Sequence, residues 1–407
     1  MRIAFVHQNF PGQYPHLARH LAKAGHDLVA ITHDGNKRPE LIRTVRYAFG
    51  PKEVPATANP LARHYNQAIA RAAVVARTAL KLREEGFSPD LILGHAGWGE
   101  TLLLKEAWPR ARMQSYSEFY YRTDGADVGF DPEFGGETFE SGAMAHTKNA
   151  AMLLALATAD RGVAPTAWQR SVFPDELHGK IDVVHDGVDT VAVRPDRKAF
   201  IRLGKGCLTL RPGDEVITFV NRNLEPYRGY HVFMRALPAI LAARPKARAI
   251  LVGANGVSYG RAAPEGRTWK DIFLDEVRDR LDLSRVHFVG QVPHSTFVNL
   301  LQVSAAHVYL TYPFVLSWSM LEAMAAGCLV VASDTPPVAE VIRDGENGLL
   351  FPFFDVDALS RRVIEALAEP KQFRQIRAQA RADAVERYDL RTRCLPRQLA
   401  LIEELMT

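Results

Sequence analysis

Short apolar runs alternate with longer amphipathic stretches along nearly the whole chain, and the two periods predict strands and helices in turn. Ile3–Val6, Leu28–Thr32 and Leu91–Gly94 are apolar runs of strand length, separated by helical patterns at Tyr14–Lys23 and Pro60–Glu85. A second alternating set begins at Val216–Val220 and continues through Ala249–Val252, Val286–Val289, Val308–Leu310 and Leu329–Ala332, with a helix predicted over Tyr230–Ala243. Strands that are apolar on both faces, alternating with helices, imply parallel sheets covered on both sides. Between the sets, Arg194–Pro212 is rich in Arg, Lys, Pro and Gly and reads as a domain boundary, while Asp357–Met406 is helical in pattern. The expectation is an α/β chain with two doubly wound domains, residues 1–195 and 213–389, followed by a C-terminal helix over 390–407. Ligands of such sheets bind at the carboxyl ends of the strands and in the cleft between domains.

Composition narrows this only a little. The 407 residues are 47% hydrophobic and 24% charged, enough for two ordinary cores. From Val286 to Leu321 there is no Asp, Glu, Lys or Arg, but Gly290, Pro293, Asn299, Gln302, His307 and Pro313 interrupt the run, which favours domain core over a membrane span. The net charge of +4 suits nucleotide phosphates or a membrane surface, and no nucleic-acid signature accompanies it. Cys207, Cys328 and Cys394 are odd in number and far apart, which fits a reducing cytoplasm. Ile3–Val6 is too short for a signal-peptide core.

The candidate chemistry is concentrated at strand ends. Glu322 is the single carboxylate in the apolar helix Met320–Ala326, which Gly327 stops. It fits either a first-turn acid stabilising the helix dipole or a ligand-holding group. Asn221–Gly229 follows a strand and precedes a helix, and its Arg222 and Arg228 fit a phosphate grip or a solvated loop. Ser88–His95 is a strand that ends in His95, a structural histidine or a ligand-facing one. Pro11-Gly12-Gln13 opens the first helix. His16 and His20 have helical zinc spacing without a third ligand, and Asp355-Val356-Asp357 precedes a helix as a cap would, so no metal is expected.

Leu321–Gly327, Val330–Asp334, Glu340 and Asp344–Leu350 resemble, in order and spacing, the donor-binding region of retaining family-4 glycosyltransferases of the GT-B fold. The resemblance covers most of the chain and is weakest over Glu118–Gly142 and Asn255–Lys270. It implies an acceptor-binding domain over 1–195, a nucleotide-sugar domain over 213–389, and a final helix that crosses back to the first. Arg222 matches a family Arg and Arg228 stands where Lys is usual; with His95 they would form the catalytic set. Glu322 would hold ribose hydroxyls, with Ser317, Trp318, Ser319, Gly253 and Gly12 completing the donor site. Tyr120, Tyr121 and Asp124 belong to an acceptor loop or an ordinary surface insertion. Two departures stand out: Phe314 replaces the first acid of the family's Glu-x7-Glu, and Pro336-Pro337 replaces its Gly-Gly before Glu340.

The implied activity is hexosyl transfer from a nucleotide-diphosphate sugar, with a UDP-sugar favoured over a GDP-sugar. The acceptor would be a saccharide or lipid-linked group, the configuration retained, and no cofactor required, as in surface polysaccharide or glycoconjugate synthesis. An epimerase or hydrolase of the same fold and a non-catalytic partner subunit are the rivals, and Phe314 keeps the second in play. Arg63, Arg71, Arg77, Lys81 and Arg83 on one helix fit either a solvated face or an anionic lipid surface at the inner face of the membrane.

Overall fold

Strands β1 (Arg2–Val6), β2 (Asp27–His33), β3 (Arg43–Tyr47), β4 (Leu91–His95), β5 (Arg112–Tyr116), β6 (Arg161–Ala164) and β7 (Ile181–Val183) form one parallel sheet in this computed structural model. Its order is β3-β2-β1-β4-β5-β6-β7, and it organises a unit made of Met1–Asp186 and Arg391–Thr407. The second unit, Gly187–Leu390, begins with a small antiparallel pair, β8 (Ile201–Leu203) and β9 (Leu208–Leu210). Its main sheet contains β10 (Val216–Asn223), β11 (Arg248–Ala254), β12 (Val286–Gly290), β13 (Ala306–Tyr309), β14 (Val330–Ser333) and β15 (Leu349–Phe351). These run parallel in the order β12-β11-β10-β13-β14-β15. All residues are described except 51, 53, 55–58, 205–207 and 265, so Cys207 lies outside the described residues. Cys328 and Cys394 are buried and not disulfide-bonded.

Each sheet reverses direction once. In the first unit the chain leaves β1 toward β2 and β3, then returns to place β4 on the other side of β1. In the second unit it leaves β10 toward β11 and β12 and returns to place β13 beside β10. Helices on either side of such a switch point diverge and leave a crevice at the carboxyl ends of the two strands. The loops after β1 and β4, and those after β10 and β13, are therefore where each unit can hold a ligand.

Alternation along β1 supplies both faces of its sheet. Ala4 and Val6 pack with Val75, Leu82 and Trp108, whereas Ile3 and Phe5 pack with Leu17, Leu21 and Ile402. The final helix, Leu395–Met406, thus joins the core of the first unit against the Pro15–Lys23 helix. In the second unit, the Trp318–Ala326 helix buries Met320, Leu321 and Met324 against Val330 and Ala332. Among the described residues, no helix is long and apolar enough to cross a membrane. Asp355 caps the Val356–Ala368 helix by accepting the N–H of Ala358 at 2.7 Å.

His307 in β13 is fully buried, with Nδ1 2.9 Å from Thr218 Oγ1, and burial pushes its pKa down to about 4. The unfolded chain takes up this proton near its ordinary value while the folded chain does not, so stability falls as the pH drops from that value toward the folded one. By about pH 5 the loss from this group amounts to roughly 2 kcal/mol. His307→Gln is expected to lose less of its unfolding midpoint than the wild type between neutral pH and pH 5, measured by thermal melts at both.

Candidate functional site

The turn after β10 places a cation by steric necessity. Gly229 has φ +67°, and a Cβ there would lie 2.3 Å from Leu310 Cβ, so only glycine passes the end of β13 at this point. Arg228, the residue before it, is carried to the segment that follows β13. Its Nη1 donates to Thr311 Oγ1 at 2.7 Å and to the Val315 carbonyl at 2.9 Å. Its guanidinium lies over the rings of Tyr259 and Phe314, at 5.1 and 5.7 Å from their centroids. Arg228 is only 6% exposed, and among the described residues no carboxylate lies within ion-pair distance of it.

Val315 belongs to the loop that enters the Trp318–Ala326 helix. Ser317 is that helix's N-cap: its side chain accepts the N–H of Ser319 at 3.3 Å, and its own N–H donates to the Tyr309 hydroxyl at 2.8 Å. Ser319 is buried, while Trp318 is exposed. A helix N-terminus carries positive partial charge, so a buried cation tied to the loop that enters it is unfavourable until an anion joins them. Arg222, at the end of β10, is exposed. The arrangement fits a diphosphate.

Four further features refine the sequence reading. The helix begins at Trp318, not Met320, so Glu322 lies in its second turn and no acid occupies the first. The dipole-stabilising reading of Glu322 therefore fails, because its position is too far from the free N–H groups. Instead Glu322 Oε1 lies 2.7 Å from Nε2 of His294, a residue sequence reasoning missed. Phe314 is 3% exposed, with its ring against Tyr227 and Tyr259 at 5.1 and 4.9 Å, so an aromatic surface stands where the family has an acid. A Cβ at Gly253 would lie 2.9 Å from Leu224 Cδ2 and 3.2 Å from the Asn221 carbonyl, which explains that glycine by strand packing. Glu225 was also missed: buried, it accepts the N–H groups of Ser258, Tyr259 and Gly260 at 3.0 to 3.3 Å and holds Tyr259 over Arg228.

In the first unit, His95 ends β4 and is 1% exposed, its ring stacked on Trp98 at 4.3 Å and Tyr116 at 5.3 Å. Its Nδ1 accepts the Gly97 N–H at 3.0 Å. Gly12 follows β1 with φ +51°, and a Cβ there would overlap His7 Nε2 at 2.3 Å. The proposed acceptor residues pack in different surroundings. Tyr120 packs on Phe173 at 5.6 Å, Tyr121 lies under Lys148 Nζ at 3.4 Å with its backbone held by Asn149, and Asp124 is exposed.

Residues 24–193 match the glycosyl transferase family 4 group, and residues 208–383 match glycosyl transferases group 1. A D-inositol 3-phosphate glycosyltransferase of Nocardia farcinica is 30% identical over 201 residues, covering 48% of this chain and 42% of the relative. A phosphatidyl-myo-inositol mannosyltransferase of Mycobacterium leprae is 30% identical over 206 residues, covering 50% and 47%. The matched part of the chain thus spans about half the length of these curated relatives. Among solved structures, sucrose-phosphate synthase from Thermosynechococcus elongatus superposes with TM-score 0.71 at 17% identity, covering 100% of this chain and 99% of that one. Anabaena Alr3699/HepE in complex with UDP and glucose gives 0.67 at 18% identity, covering 99% of each. Two parallel sheets, each with a switch point, are the GT-B architecture of these neighbours. The chain belongs to the family-4 group of GT-B glycosyltransferases.

The hydrogen bond that His294 donates to the Glu322 carboxylate raises the pKa of His294 above its ordinary value, so the charged pair exists below that raised value and is lost as pH climbs through it. An NMR titration is expected to show His294 titrating high in the wild type and returning to the ordinary range in Glu322→Gln.

Proposed function

We propose that this chain transfers a hexosyl group from a nucleotide-diphosphate sugar to a saccharide or lipid-linked acceptor, with retention of configuration. The observation that carries the reading is Arg228, a buried cation without a carboxylate partner among the described residues, tied to the loop that enters a helix N-terminus. The diphosphate of such a donor is already anionic, and its charge grows as the glycosyl bond breaks. Arg228 and Arg222 would meet that charge, with the positive end of the Trp318–Ala326 helix adding a fixed dipole. Cationic side chains then do what a divalent ion would do elsewhere, so the reading calls for no metal and no cofactor.

Glu322, with His294 as its partner, would take the ribose hydroxyls, and the aromatic surface of Phe314 and Tyr259 would line the sugar side. His95, by resemblance to the family, belongs to the catalytic set. By resemblance to the family, a departing phosphate oxygen takes the acceptor proton, and no enzymic base is assigned. A neighbour that binds UDP and glucose supports a UDP-sugar over a GDP-sugar. Relatives named for inositol phosphate and phosphatidylinositol support a polyol or lipid-linked acceptor, as expected in polysaccharide or glycoconjugate synthesis in the cytoplasm. A lipid-facing role for the Arg63–Glu84 helix is weakened because Arg71 turns inward, 3.6 Å from the fully buried Glu100.

Losing one charge-assisted hydrogen-bond partner costs about 1.5–3 kcal/mol, a factor of ten or more in affinity. Titration calorimetry with UDP is expected to show that loss for Arg228→Ala and Arg222→Ala, with Arg228→Lys intermediate, and UDP-glucose turnover to fall in parallel. A wild type that binds no nucleoside diphosphate or sugar conjugate, and co-purifies with another transferase, would overturn the reading in favour of the partner subunit, for which Phe314 is the supporting departure.

A further inference from the structure

Several buried donors in the first unit lack a hydrogen-bond partner among the described residues, and one of them, His95 Nε2, faces a carboxylate. Because His95 Nδ1 accepts the Gly97 N–H, the neutral ring carries its proton on Nε2. That Nε2 is buried and without a hydrogen-bond partner among the described residues. Glu118 Oε2 lies 3.4 Å away, but the two are not aligned for a hydrogen bond. The stacked faces of Trp98 and Tyr116 fix the ring in place.

Glu118 is fixed as well, by a directional chain of donors. The Asn9 N–H donates to His7 Nδ1 at 2.9 Å, which leaves the His7 proton on Nε2 to donate to Gln13 Oε1 at 2.8 Å. The amide of Gln13 is thereby oriented, and its Nε2 donates to Glu118 Oε1 at 3.2 Å. Oε1 is held inside this chain, while Oε2 is directed toward His95. Glu118 is half-buried rather than sealed, with 27% of its side chain exposed. Gly12 belongs to the same construction, since any side chain there would displace His7.

A hydroxyl group is the complement of this pair, because its oxygen accepts from the Nε2–H while its proton is donated to Oε2. An anion is not, because Glu118 would repel it. The position agrees, since His95 ends β4 at the β1/β4 switch point and Glu118 lies just beyond the end of β5, the strand beside β4. We propose that His95 and Glu118 form a hydroxyl-binding site for a neutral pyranose or cyclitol ring of the acceptor. Gln13 and His7 act as positioning residues behind it. The proposal rests on the glycosyl-transfer reading for its biological setting, but its chemistry belongs to the first unit alone.

The test is saturation-transfer NMR with methyl α-D-glucopyranoside and with myo-inositol, in the presence of UDP, alongside calorimetry of UDP itself. Glu118→Gln keeps the shape and removes the charge, and polyol affinity is expected to fall about tenfold or more with UDP affinity unchanged. Gln13→Met keeps the carboxylate and removes its Gln13 bond, and a smaller fall is expected, which keeps the idea testable if Glu118→Gln folds poorly. Wild-type protein that takes neither polyol, or variants that bind them as well as the wild type, would overturn the proposal. Polyol binding that depends on Glu118 in a protein that binds no nucleotide would instead preserve this site and sink the transferase reading.

Discussion

Arg228 brings a full positive charge into the interior, and the surrounding chain is arranged around that constraint. Charge burial is unfavourable by several kcal/mol unless hydrogen bonds and an opposite charge offset it. Thr311 and the Val315 carbonyl supply hydrogen bonds, and the rings of Tyr259 and Phe314 supply polarizable faces. Gly229 gives the backbone its close passage past Leu310, and Glu225 pins the loop that carries Tyr259. Among the described residues no carboxylate pairs with it directly, and Glu225, whose charge acts on Arg228 from a distance, is already engaged by the N–H groups of Ser258, Tyr259 and Gly260. The diphosphate fills that place in the account, and the same fixed cation would then stabilise the charge that develops on bond breaking.

The two units use one topological device for opposite electrostatics. In the proposed reading, the β10/β13 switch point offers the cations Arg222 and Arg228, with the helix end adding to them. The β1/β4 switch point offers an oriented imidazole with a carboxylate beside it, suited to a neutral polyol. A substrate pair made of a nucleotide diphosphate and a hydroxyl-bearing acceptor needs this division. Phe314 modifies it on the donor side: an aromatic ring replaces a hydrogen-bond acceptor, so sugar hydroxyls must be read by other groups or left unread.

Much of this was legible in the sequence because strands of a covered parallel sheet are continuous apolar runs, as at Ile3–Val6 and Leu329–Ala332. The Tyr230–Ala243 helix has the bounds its pattern implied. Strand β3 (RTVRY), at a sheet edge, and β5 (RMQSY) escaped because their polar residues break that pattern. The start of the Trp318 helix was hidden because Ser317 declares itself as a cap only once its hydroxyl is seen bonded to the Ser319 N–H. His294 carries no local signal, since its partner Glu322 is 28 residues away. Glu118 stands where the family resemblance fades, and its meaning depends on a tautomer that only the Gly97 contact to His95 defines.

The central claim is that Arg228 and the N-terminus of the Trp318–Ala326 helix are completed by a diphosphate. A crystal structure of the protein with UDP tests it most directly. The account predicts the β-phosphate within hydrogen-bonding distance of Arg228 and at the N-terminus of the Trp318–Ala326 helix, with the ribose at Glu322. A diphosphate bound elsewhere, with the Arg228 bonds to Thr311 and Val315 unchanged, would contradict it.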